Sequence, residues 1–134
     1  CKMMYLTRNK KQKIREKVSN LLTYYNLGSS NHDNIDIVKF AGAVGFRVGE
    51  SKKLLDIEDG FIFISESRKE YLIGVNYNRT LEEKRFIVAY ELAHYFLHYD
   101  ENSKVNYLHR KYIKRKKEKE NDTDFFAKCI MKPE

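Results

Sequence analysis

The sequence predicts an α+β fold, a small antiparallel sheet of three strands packed against helices, with one central helix that carries the residues of chemical interest. Three observations predict it. Apolar residues recur every three or four positions over residues 10–44 and again over 86–97, short β-branched and aromatic runs lie between them, and a helix-capping pattern stands directly before the second periodic stretch.

The first helix runs from about Lys10 to Leu27, where Ile14, Val18, Leu21, Leu22 and Tyr25 share one face. Gly28, followed by Ser29, Ser30 and Asn31, ends it. Asp33 or Asn34 then caps a second helix through Ile35, Val38, Phe40 and Ala41 to about Val44, closed by Gly45. The extended segments Phe46–Val48, Gly60–Ile64 and Tyr71–Val75 form the sheet, with Ser65–Glu70 turning the second into the third. Thr80 and Glu83 make a capping box for the central helix, whose wide apolar face comprises Phe86, Ile87, Ala89, Leu92, Ala93, Phe96 and Leu97 and which ends near His98 or Tyr99. Residues 100–107 read as a loop. A basic stretch follows, then a last helix with Phe125, Phe126, Cys129 and Ile130 inward and Pro133 limiting its extension.

A chain of 134 residues fits one domain, 1–134, with residues 1–9 expected as a flexible or appended start. No run of eighteen apolar residues and no signal-peptide core occurs, so no membrane association is expected and the location is expected to be cytoplasmic. Cys1 and Cys129 lie at opposite ends, which is neither a disulfide framework nor a metal knuckle. The net charge of +7 is concentrated in Arg8–Lys17 and Arg110–Lys119, and neither stretch is accompanied by a helix-turn-helix, zinc knuckle or aromatic RNA-reading pattern. Direct nucleic-acid binding is therefore not expected. His32 and His109, one in a polar turn and one beside basic residues, read as surface positions, and Cys129 reads as a small buried hydrophobe.

The chemistry concentrates in Tyr90-Glu91-Leu92-Ala93-His94. In the HExxH pattern, two histidines four residues apart project from one helix face and hold zinc, while the glutamate after the first activates a water. Here a tyrosine stands in the first histidine's place. A phenol, with a pKa near about 10, must lose a proton before it binds zinc, whereas neutral imidazole binds directly. Three outcomes stay open: zinc is lost, Tyr90 binds another metal as phenolate, or His98, four residues beyond His94, joins the site. The His94–His98 pair would put Tyr95 where the glutamate belongs. Taken alone, His98 suits a helix C-terminus, where an imidazole packs or donates a hydrogen bond.

The block RFIVAYELAHYFLH, Arg85–His98, resembles the RFxxAHELGHxxLH block of the ImmA/IrrE family of small bacterial metallopeptidases. VNYN at Val75–Asn78 is similar to the family's INxN segment, and the run from Glu120 to Ala127 is similar to its ExEANxFA, with Pro133 beyond; together these cover about residues 14–133. The resemblance implies a zincin-like motif helix, with Glu91 as catalytic base, His94 and Glu120 as zinc ligands, and Asp124 orienting a ligand histidine. It implies zinc as cofactor if the site is competent, and none otherwise. The implied partner is a repressor-type DNA-binding protein, often of a mobile element or stress response, as substrate or as bound partner. The function so implied is an ImmA/IrrE-like metallopeptidase of reduced or lost activity that serves transcription regulation, and the alternative is a pseudoprotease that grips its partner without cutting it.

Overall fold

The computed structural model describes residues 6–27, 35–103 and 105–132. Helix α1 spans Arg8–Tyr24, because the Thr7 side chain accepts the Lys10 N–H at 3.1 Å and starts the helix ahead of the first apolar residue. It ends before Leu27, where Asn26 turns the chain with a φ of 60° and the Leu27 N–H donates to the Leu22 carbonyl. Ile14, Val18 and Leu22 are its buried stripe. The expected stop at Gly28–Asn31, the capping candidates Asp33 and Asn34, and His32 all lie outside the described residues. The cap of α2 is Asp36, whose carboxylate accepts the Lys39 N–H at 3.0 Å, so α2 runs Ile37–Val44 and Ile35 is buried ahead of it.

The sheet has four strands and is mixed, where the sequence predicted three antiparallel ones. They are β1 (Arg47–Ser51), β2 (Glu58–Ser65), β3 (Glu70–Asn76) and β4 (Tyr107–Tyr112), in the order β1-β3-β2-β4. β2 and β3 form the expected hairpin, Gly60 opposite Val75 through Ser65 opposite Glu70. β1 pairs with the far side of β3 rather than with β2, and since the chain reverses twice between them, that ladder is parallel, Arg47 against Leu72. The fourth strand falls where a loop and a basic stretch were expected. Tyr107, His109 and Lys111 point inward while Leu108, Arg110 and Tyr112 are exposed, so the alternation of a strand is present but written in polar residues.

Helix α3, Leu81–His98, begins at the predicted capping box: Thr80 Oγ1 accepts the Glu83 N–H at 3.1 Å, and Glu83 accepts the Thr80 N–H at 2.8 Å. Helix α4, Asp122–Met131, has its own box between Asn121 and Asp124. α3 touches α2, α4, β2 and β3, and its Ile87, Val88, Ala89, Leu92 and Ala93 join Phe40, Ile62, Ile64, Ile73, Phe126 and Ile130 in one core. Among the described residues no helix is long and apolar enough to cross a membrane.

Gly60 sets how closely α3 approaches the sheet. It lies at the register shift of the β2–β4 ladder, and a Cβ there would run into the Gly74 carbonyl oxygen and the Ile87 side chain. Gly60→Ala is therefore expected to lower the free energy of unfolding by about 1–3 kcal/mol in urea titration, the range for forced overpacking.

Candidate functional site

Tyr90, His94 and His98 succeed one another along one face of α3, and Glu91 sits beside them on the side turned to the sheet. What meets them is the inward row of β4. Glu91 is 0% exposed, and its Oε1 is 3.1 Å from His109 Nδ1. Its second oxygen, Oε2, is buried without a hydrogen-bond partner. Burial pushes the Glu91 carboxyl above its ordinary range, while the hydrogen bond and charge of His109 pull it back.

His94 shares a 2.8 Å hydrogen bond between its Nε2 and the Tyr107 hydroxyl, and its Nδ1 is buried without a partner. The His109 ring lies 3.7 Å away, centroid to centroid, and the His98 ring 5.1 Å away. Burial first, then the neighbouring His109 and His98, push His94 down to about 3, so it is a neutral imidazole across the physiological range. Burial raises the Tyr107 hydroxyl to about 12. The hydrogen bond therefore joins two uncharged groups.

Tyr90 is half-buried beneath the Lys111 ammonium, which stands 5.0 Å from its ring centroid and pairs with Asp59 at 2.6 Å. Burial, followed by the negative charges of Asp124 and Glu91, pushes its phenol up to about 12. At neutral pH it keeps its proton.

The carboxylates at the start of α4 and just before it go three separate ways. Asp122 reaches the α3 histidines, with Oδ2 3.4 Å from His98 Nε2, and Thr123 Oγ1 lies 3.3 Å from the same nitrogen. Asp124 is held by Lys114 at 2.8 Å and by its capping role. Glu120 pairs with Lys128 at 2.7 Å. A spacing of four would put Glu120 and Asp124 on one face of a helix, but α4 starts at Asp122 and Glu120 precedes its cap, so helical spacing does not relate the two. Asp124 accordingly meets a lysine rather than a histidine's free N–H. His98 takes the hydrogen-bonded helix-end position that its spacing suggested.

The structure thus brings Tyr90, Glu91, His94 and His98 together, and adds Tyr107, His109, Lys111 and Asp122, none of which was a sequence candidate. His109 in particular, expected at the surface, is only partly exposed and is hydrogen-bonded to the buried Glu91. The period-two alternation of 107–112 is the signal that could have found three of the four, and the nearness of Asp122 to Glu120 in the motif the fourth.

Zinc does not fit this set of donors as arranged. Among the described residues no three His, Cys, Asp or Glu side chains are grouped so as to hold a metal ion. Tyr90 retains a proton where a ligand is needed, the Nε2 of His94 is engaged by Tyr107, and Lys114 and Lys128 neutralise Asp124 and Glu120.

Among known families, the model of the IrrE N-terminal-like domain, peptidase M78, matches residues 41–134. No curated protein and no solved structure matches the chain.

Among the described residues His109 is the one hydrogen-bond partner of a carboxyl group that water does not reach. His109→Ala is expected to destabilise the fold by about 1–3 kcal/mol, the cost of an orphaned buried polar group, and combination with Glu91→Gln should recover part of that loss in a double-mutant cycle read by urea unfolding.

Proposed function

Because the chain belongs to the ImmA/IrrE family of peptidases, through a domain that covers residues 41–134, we propose that it is a member whose zinc chemistry has been lost and whose retained cleft binds a repressor-type DNA-binding protein without cutting it. The family is typically zinc-dependent, and this chain's departures from that requirement are concerted. The observation that carries the reading is the Tyr107–His94 hydrogen bond, which engages Nε2 of the remaining motif histidine with an uncharged hydroxyl from β4. Tyr90, Lys111 and Lys114 extend the same pattern, placing protonated groups where a metal-binding cleft would present lone pairs. What these side chains do is hold one another: His109 fixes Glu91, Tyr107 fixes His94, and Asp122 with Thr123 fixes His98. On this reading the ordered side chains support a cleft that takes a protein ligand without first rearranging. The partner class, and with it a role in transcription regulation, follows from the resemblance of residues 85–98 and 120–127 to the family's motifs.

A second reading, a peptidase of reduced activity, is favoured by the unpaired Oε2 of Glu91, a buried carboxylate oxygen with capacity to accept a proton. Metal analysis of protein purified without chelator separates the two. Well under one zinc per chain is expected, together with a repressor that is bound intact and bound equally by Glu91→Gln. Stoichiometric zinc, with cleavage that disappears in Glu91→Gln, would overturn the proposal.

Restoring the motif letter is expected to be insufficient. Tyr90→His alone leaves His94 engaged with Tyr107, so the double variant Tyr90→His/Tyr107→Phe should gain more zinc affinity in equilibrium dialysis than either single change. Equal affinities for the single and double variants would show that Tyr107 does not block the site.

A further inference from the structure

Around Tyr95, on a different side of α3 from His94, a cavity of about 550 Å³ opens between elements that the site above does not use. Its lining includes Gly45 and Phe46, where α2 runs into β1, Glu66 and Tyr71 of the β2–β3 hairpin, Tyr95 of α3, and Glu101 beyond that helix. Three rings form its walls. Phe46 lies 5.1 Å from Tyr95 at 80° and 6.0 Å from Tyr71 at 88°, so both tyrosines stand nearly perpendicular to it. Tyr99 stacks behind Tyr95 at 5.3 Å.

Glu66 is exposed, yet both of its oxygens are fixed. Tyr71 donates its hydroxyl to Oε2 at 2.6 Å and Tyr99 donates to Oε1 at 2.8 Å. The two hydroxyls hold the carboxyl below its ordinary range, so it is an anion at neutral pH. Elsewhere Glu58, Asp59 and Asp124 each hold a lysine or arginine. Among the described residues Glu66 and Glu101, like several other exposed carboxylates, hold no such partner, so neither is occupied by a cation of this chain. A carboxylate anchored by tyrosines from two elements, walled by aromatic rings and joined by a second carboxylate, has the attributes of a receptor for an organic cation. Ring faces attract such a cation, and each carboxylate oxygen keeps a second lone pair to accept from it. Rings in place of a shell of oxygens do not suit a hard metal ion.

We propose that this cavity binds a guanidinium or ammonium group, the side chain of an arginine or lysine in a protein or peptide partner, with Glu66 as its counter-charge and Phe46, Tyr71 and Tyr95 as its walls. Tyr99 connects the pocket to the α3–β4 cluster, since its ring lies 5.4 Å from that of Tyr107. A basic residue seated there is one ring away from the surface that faces His94. The proposal does not rest on the loss of zinc chemistry, because the pocket shares no residue with the residues that would hold the metal.

The test is amide NMR of the whole chain titrated with N-acetyl-arginine amide and N-acetyl-lysine amide, with N-acetyl-citrulline amide as the neutral isostere and calcium as a metal control. Shifts concentrated at Gly45, Phe46, Glu66, Tyr71 and Tyr95 are expected with arginine or lysine and not with citrulline or calcium. Glu66→Gln is expected to weaken binding by about tenfold or more, the scale of a lost charge-assisted hydrogen bond, while Glu82→Gln, on the first turn of α3, leaves it unchanged. If Glu66→Gln disturbs the fold, Glu101→Gln carries the test and is expected to weaken binding to a smaller extent. Citrulline matching arginine, calcium producing the same shifts, shifts centred elsewhere, or undiminished affinity in the carboxylate variants would each overturn the proposal.

Discussion

The hydrogen bond between Glu91 and His109 is the constraint on which the arrangement of this protein depends. A carboxylate with no exposure to water is costly unless something donates to it, and here the donor comes from another element. That contact fixes the side of α3 nearest the sheet to the outermost strand. The strand is held in turn by Arg110 on Glu58 and Lys111 on Asp59, and Asp59 also takes Arg79. These pairs turn β4 from a basic tail segment into the fourth rung of the sheet, and they bring Tyr107 to His94 as a by-product of the same register. Site and fold are therefore one network, in which β4 supplies Tyr107, His109 and Lys111 while α3 supplies Glu91 and His94 to meet them and an apolar face to the core.

The parts of this architecture that were legible in the sequence are those governed by local chemistry. Thr80 and Glu83 announce the start of α3 because a capping box is a short-range contract between a side chain and a nearby backbone. The β2–β3 hairpin is equally local. What escaped was decided at a distance. The pairing of β1 with β3 rather than β2 cannot be read from the residues of β1, and the strand in 107–112 was hidden because its inward positions are Tyr, His and Lys, whose burial is tolerated only where Glu91 and Asp59 wait across the gap. At the site, the motif letters located Glu91 and His94 on α3. They could not show that α4 begins after Glu120, which is why Asp122 rather than Glu120 stands beside the histidines.

The basic stretches also look different once their partners are known. Arg110, Lys111 and Lys114 are engaged with Glu58, Asp59 and Asp124, and Lys11 and Arg15 lie 5.3 Å from the Phe125 ring centroid. Part of the positive charge therefore balances or covers this chain's own groups.

The position of β4 has one more consequence. Among the described residues it is an outermost strand with no further strand beside it, the kind of border along which sheets of separate molecules join and grow into aggregates. Lys111 turned inward and Arg110 turned outward, with Lys114 close behind, put charge on both faces of that border. A second copy approaching strand to strand would have to strip water from Arg110 on the exposed side and disturb the buried Lys111–Asp59 pair on the other, two costs that disfavour pairing along this border.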